Sequence, residues 1–248
     1  MAIKVLIVDD SALFRQILTG IFAEDPEIQV VGTARDGQEA LQKIASLKPD
    51  VVTMDIEMPV MNGLECLAKL MSDHPLPVIM VSSYSIAGAE PTLKAFELGA
   101  VDFVTKASST EPEMIINAAE LIMKVKTAAT IDISKLKYTT PTAKPAVTKE
   151  GAVKFRKLTS LEMLVIGTST GGPKALHYLL PQLPKDFPLG ILVGQHMPVD
   201  FTKIFSKRLD PYCELDVAEA KSGDQIKPGK ILIAPSGKQT IVIRDKDA

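Results

Sequence analysis

The sequence predicts an α/β protein: a doubly wound, five-stranded parallel sheet, then a linker, then a second α/β domain. Three observations predict it. Strand-length apolar runs alternate with helix-length amphipathic stretches five times in the first half of the chain. The strand-like runs are apolar almost throughout rather than every second residue, as strands covered on both faces must be. After a stretch rich in Thr, Pro, Ala and Lys with no apolar period, the same alternation returns.

The strand-like runs of the first half are residues 4–9 (KVLIVD), 28–34 (IQVVGTA), 50–55 (DVVTMD), 77–83 (PVIMVSS) and 102–105 (DFVT). Helix-like stretches fill the gaps at 11–24, 37–48, 63–73 and 89–99. A fifth helix is expected from Thr110, which with Glu113 has capping-box spacing. Crossovers should be right-handed, which puts the functional edge at the carboxyl ends of the strands. The composition around KYTTPTAKPAVTKEG reads as a linker. The expected organisation is therefore a first domain at 1–125, a linker at 126–160 and a second domain at 161–248. In the second domain, strands are expected at 163–166 and 190–196, with helices at 173–180 and 200–208. KILIAP (230–235) and QTIVIR (239–244) read as a hairpin.

Composition narrows the function classes. The net charge of −2 gives no electrostatic reason to expect nucleic acid. Cys66 and Cys213 lie far apart and form no metal or redox pattern, which reads as two ordinary thiols in a reducing compartment. The opening MAIKVLIVDD runs straight into acids and reads as a first strand rather than a signal peptide. No later stretch approaches the ~20 apolar residues of a membrane span. A soluble cytoplasmic protein, with no direct membrane insertion, is the expectation.

Acids mark the strand ends. Strand one ends in Asp9–Asp10 and strand three in Asp55. In a parallel sheet these carboxylates converge, and converging carboxylates repel unless a cation neutralises them. An all-oxygen set suits a hard ion that keeps waters, namely Mg²⁺. Strand four ends in Ser82–Ser83 and strand five leads to Lys106, a hydroxyl and an ammonium that would complement a phosphoryl group. Any one of these acids alone would read as a helix cap or a loop acid. Together and in this order they resemble the response-regulator receiver domain, a flavodoxin-like fold, over about 1–125. The resemblance implies that Asp55 is the phosphoacceptor. It implies that Asp10, Asp55 and the Glu57 carbonyl hold Mg²⁺ with Asp9 assisting, that Ser82 and Lys106 contact the phosphoryl oxygens, and that Phe103 is the aromatic switch. Ala107 departs from the family's usual proline after the lysine.

The second domain opens on LEMLVIGTSTGGPKAL, where small residues crowd Ser169. Three readings compete: a nucleophile on a sharp turn, a phosphate cradle, or a tight strand-to-helix connection. GTSTG fits the nucleophile-elbow pattern, and backbone N–H groups at Thr170 and Gly171 could stabilise an oxyanion. A Walker loop needs lysine directly after its second glycine, but Pro173 follows Gly172 and Lys174 comes one place late. A serine nucleophile needs a base. His74 lies in the first domain, and His177 falls among packing residues of PKALHYLL. His196 ends the strand GILVGQH, which should lie near that of Ser169 on the same edge.

A receiver, a linker, GTSTGG and GQHMP in sequence resemble the chemotaxis protein-glutamate methylesterases. The resemblance implies hydrolysis of glutamyl methyl esters on chemoreceptors, and deamidation of glutamines, through an acyl-serine. Ser169 would be the nucleophile and His196 the general base, with no cofactor at the esterase site. A histidine kinase would be the phosphodonor and methylated chemoreceptors the substrate. The family's catalytic domain continues past the point where this chain stops and supplies the aspartate of its triad there. Asp186, Asp200, Asp210, Asp216 and Asp224 match no family motif. The expectation is a truncated catalytic domain with impaired activity. The alternative is a non-enzymatic receiver protein whose second half only binds a partner.

Overall fold

The computed structural model describes residues 2–83, 86–106, 117–131, 133 and 162–244, with backbone alone at 83 and 86–89. The chain divides into two compact units, Met1–Thr139 and Thr140–Ala248.

The first unit alternates β1 (Ile3–Val8), α1 (Ala12–Ala23), β2 (Ile28–Ala34), α2 (Gly37–Leu47), β3 (Val51–Asp55), α3 (Gly63–Asp73), β4 (Val78–Ser83), α4 (Ile86–Leu98), β5 (Asp102–Lys106) and α5 (Ala118–Ala129). All pairings are parallel and the strand order is β2-β1-β3-β4-β5. β3 lies at the centre and is buried at every position. Helix α1 buries Phe14, Leu18 and Phe22, spaced four apart on one face, into the core formed by Val5, Ile7, Val51, Ile79 and Val81. Each such side chain contributes about 1.5–3 kcal/mol by leaving water.

The helix starts follow their capping residues. The Ser11 hydroxyl accepts from Phe14 N, Asp36 accepts from Glu39 N, and Asn62 forms a capping box with Glu65. Asp9 and Asp10 are thereby left out of the capping of α1. Helix α5 is capped by Asn117 over Glu120 N, and the Thr110–Glu113 pair lies outside the described residues. α5 continues to Ala129, past position 126, and Lys126 pairs with Asp25 and Glu27. Of the expected linker, 134–160 lies outside the described residues, as does Ala107.

β5 is an edge strand. The Phe103 N–H binds Asp102 Oδ1 at 2.7 Å and its carbonyl accepts from Lys124 Nζ at 2.6 Å. A buried side-chain pair thus occupies backbone groups that no further strand covers.

The second unit holds β6 (Met163–Thr168), α6 (Gly172–Leu179), β7 (Gly190–Gln195), α7 (Phe201–Leu209), β8 (Asp216–Glu219) and β9 (Lys230–Ile233). Its sheet is wholly parallel in the order β6-β7-β9-β8. This corrects the hairpin expected for 230–244. β9 has β7 on one side and β8 on the other, so it offers QTIVIR no free edge. Residues 239–244 form no strand, and Ile241 and Ile243 are exposed. The strand β8 went unpredicted. It is four residues long and buries only Val217 among its own residues.

Candidate functional site

The carboxyl ends of β1 and β3 bring Asp9, Asp10 and Asp55 together, with one carboxylate oxygen of each within 4.8 Å of the others. Asp9 and Asp55 are buried and Asp10 is exposed. Lys106, at the end of β5, places Nζ 2.7 Å from Asp9 Oδ2 and 2.8 Å from Asp55 Oδ2. The same ammonium lies 4.4 Å from the centre of the Phe14 ring. Asp9 also accepts from Ser11 N at 2.9 Å, and Asp55 from Ile56 N at 2.8 Å. Burial raises the Asp55 carboxyl above the ordinary aspartate range. Lys106 pulls it back down and the Asp9 charge adds to the rise.

Asp10 and Glu57 line one cleft of about 430 Å³, together with Ile56, Met58, Asn62, Leu64 and Pro91. The start of α3 packs directly on the backbone that follows β3 because residue 63 is glycine. A Cβ there would lie 1.9 Å from the Asp55 carbonyl oxygen, and the Gly63 N–H binds Ile56 O at 2.9 Å. Ser82 is buried, and its hydroxyl shares a 2.9 Å hydrogen bond with Thr92 on α4. Phe103 is buried edge-to-face against Phe96, with ring centres 5.7 Å apart.

In the second unit the register sets the geometry. Thr168, the last residue of β6, sits opposite Gln195, the last residue of β7. Ser169 and His196 are the next residues on each chain, both exposed, and His196 N–H binds Thr168 O at 3.0 Å. Among the described residues no hydrogen bond joins the two side chains. Gly171 takes φ +76°, the left-handed turn that starts α6, and Gly172 N–H folds back onto Ser169 O at 2.8 Å. Thr170 and Gly171 lie in that turn, half-buried.

His177 is buried on α6, edge-to-face with Phe205 at 5.6 Å and Tyr212 at 6.1 Å between ring centres. The five aspartates without a motif are all exposed. Two serve the local backbone: Asp210 accepts from Val217 N and Asp224 from Lys221 N.

The sequence reading passed over Gln195. Its side chain is buried and bonds to Thr168 Oγ1, Ser169 O and His196 O. Its one signal in sequence is a polar residue at the carboxyl end of an otherwise apolar strand.

Comparison with known proteins follows the same division. The family model for the response regulator receiver domain matches residues 5–120, and that for the CheB methylesterase matches residues 164–247. The chain is 50% identical over 240 residues to the protein-glutamate methylesterase/protein-glutamine glutaminase of Halalkalibacterium halodurans, covering 95% of this chain and 66% of that one. The protein of the same name from Symbiobacterium thermophilum is 45% identical, covering 97% and 69%. The one from Bacillus subtilis is 42% identical, covering 99% and 70%. The chain thus spans about two thirds of the length of these relatives. The crystal structure of the response regulator domain of Thermotoga maritima CheB matches with a TM-score of 0.49 and 46% identity, covering 53% of this chain and 99% of that one. Among the described residues no helix is long and apolar enough to cross a membrane.

Proposed function

The chain belongs to the protein-glutamate methylesterase/protein-glutamine glutaminase family, and we propose on that premise that it is a phosphorylation-regulated chemotaxis response regulator acting on chemoreceptors. Its reaction is hydrolysis of glutamyl methyl esters and of glutamine side-chain amides.

In the receiver, Asp55 is the phosphoacceptor. A carboxylate oxygen attacks the phosphorus of a histidine kinase's phosphohistidine, the P–N bond breaks, and an aspartyl phosphate forms. Asp9, Asp10 and Asp55 fit a hard divalent cation, because the set is all oxygen and its ligand atoms converge. With the Glu57 carbonyl they would hold Mg²⁺, which when bound offsets the charge of phosphoryl oxygens. Lys106 is already seated between Asp9 and Asp55 and supplies the cation on the other side. Ser82 is the hydroxyl on the neighbouring strand, and Phe103 the buried aromatic that would sense the change.

In the second unit, Ser169 Oγ attacks the side-chain carbonyl carbon while His196 takes its proton. Methanol or ammonia leaves with that proton, and water then hydrolyses the acyl-serine. N–H groups of Thr170 and Gly171 face the oxyanion. The observation that carries this reading is the register: Thr168 opposite Gln195 makes Ser169 and His196 neighbours at one sheet edge. The test is methanol release from methylated chemoreceptor, with and without phosphodonor. Ser169→Ala and His196→Ala should each abolish it, and Asp55→Asn should remove the response to phosphodonor. Release that persists in S169A overturns the serine mechanism. Receptor binding without any release would favour a second unit that only binds.

A further inference from the structure

Ser169 and His196 both sit one residue beyond the last paired positions of their strands. The ladder that fixes β6 against β7 ends with the bond from His196 N–H to Thr168 O at 3.0 Å. Gln195 takes over at that point. Its Oε1 accepts from Thr168 Oγ1 at 2.7 Å, and its Nε2 donates to Ser169 O at 3.2 Å and to His196 O at 3.0 Å. One planar amide nitrogen thus carries both of its hydrogens to the main-chain carbonyls of the two residues assigned the chemistry. The amide orientation follows from its neighbours: a flip would set Oε1 against the Ser169 and His196 carbonyl oxygens and take the Gln195 donor from both.

The surroundings are cut to hold this group. Gln195 is 6% exposed, so its bonds are not exchanged with water. Gly172 opens the notch: a Cβ there would fall 2.1 Å from Gln195 Oε1 and 2.7 Å from Thr168 Cβ. Gly172 N–H shares the Ser169 carbonyl with the Gln195 amide. The start of α6, the turn after β6 and the turn after β7 all meet on this one side chain.

We propose that Gln195 is a positioning residue that fixes the spacing of Ser169 and His196. It touches neither substrate nor reacting atoms. It acts by tying the backbone of the nucleophile to the backbone of the base, and so rests on the Ser–His reading above. Misplacement of a reacting pair by ~1 Å can lower a rate ~10²-fold. Loss of the amide should therefore appear in the rate of the bond-making step and leave binding unchanged.

The experiment uses the full chain and a fluorophosphonate, which needs no receptor. Ser169 Oγ forms a bond to phosphorus, the P–F bond breaks, fluoride leaves, and the hydroxyl proton passes to His196. Gln195→Met keeps length and removes every hydrogen bond. Thr168→Val keeps the β-branched shape and removes the hydroxyl that donates to Oε1, with its longer 3.4 Å contact to Gly194 O. Q195M is expected to lower the limiting labelling rate about 100-fold, with the half-saturating probe concentration within about twofold and thermal unfolding still cooperative, at a lower temperature because the His196 carbonyl loses this donor. T168V should fall between Q195M and wild type. If Q195M does not fold, T168V decides: labelling at the wild-type rate overturns the proposal. A folded Q195M that labels like wild type overturns it too. Wild-type protein unlabelled at Ser169 overturns the serine reading, and the role of Gln195 with it.

Discussion

Removal of the Lys124 ammonium should unsettle the receiver far more than a surface lysine would. Lys124 is 4% exposed and pairs with Asp102, itself 5% exposed, at 3.1 Å. It also reaches Glu120 at 2.9 Å and the Phe103 carbonyl at 2.6 Å, with Nζ 5.4 Å from the Phe103 ring centre. Lys124→Met keeps the stem and the packing and deletes the charge. Glu120, whose side chain is 28% exposed, can turn to water, but Asp102 cannot. Stranding one member of a buried pair costs about 3–5 kcal/mol. Lys124→Met combined with Asp102→Asn strands no charge there, and Asn still offers an oxygen to the Phe103 N–H. What remains is a Phe103 carbonyl without its donor, about 1–3 kcal/mol. The single substitution should therefore cost more than the double, with a coupling of about 2 kcal/mol in the mutant cycle. Urea unfolding of Met1–Thr139 followed by far-ultraviolet circular dichroism measures this, with an unchanged m-value as the check that only stability moved. A Lys124→Met cost below about 1 kcal/mol, the range of exposed pairs, would refute the reasoning. So would strict additivity with Asp102→Asn.

Two further perturbations test the Asp55 end of the sheet. Gly63→Ala puts a Cβ against the backbone carbonyl of Asp55 rather than against a side chain that could move aside. The expected cost is about 2–4 kcal/mol, from forced backbone shift plus a weakened Gly63–Ile56 hydrogen bond, and Asp55 labelling by acetyl phosphate should slow. Wild-type stability in urea would show that the loop relaxes freely. Asp55→Asn tests the buried charge. Because burial raises the Asp55 carboxyl, the folded state keeps that proton to higher pH than the unfolded chain does. Stability is then lost as pH rises from the ordinary aspartate value of ~3.9 through the raised one, and the deficit is complete above it. With a chelator present, the Asp55→Asn protein should melt higher than wild type at neutral pH, and the gap should close at pH below the ordinary aspartate value. A lower melting temperature at neutral pH would mean that the Lys106 pairing outweighs burial.

The residues legible in the sequence share one property: their chemistry differs from that of the strand they terminate. Asp9, Asp55, Lys106, Ser169 and His196 each interrupt an apolar run, and parallel topology alone gathers strand ends onto one edge. What pattern could not supply is the partner of each surface. QTIVIR has the apolar content of a strand, but content does not say which edges are free. That depends on β8, a four-residue strand that claims the far side of β9. The same limit hid the residues that hold the site. The need for glycine at 63 and 172 shows only in the packed structure, where the Asp55 carbonyl and the Gln195 amide occupy the space a Cβ would fill. Gln195 and Lys124 carry no mark in the local sequence that sets them apart from other polar residues of a strand end or a helix. Each is defined by a contact made across the fold, 26 residues away from Gln195 to Ser169 and 22 from Lys124 to Asp102. Local sequence can place a group at an edge. Only the packed structure shows which neighbour consumes its hydrogen bonds, and a buried polar group must find one. A polar residue buried at a strand end is therefore best assigned by following its donors and acceptors. In Gln195 these lead to the main chain of Ser169 and of His196.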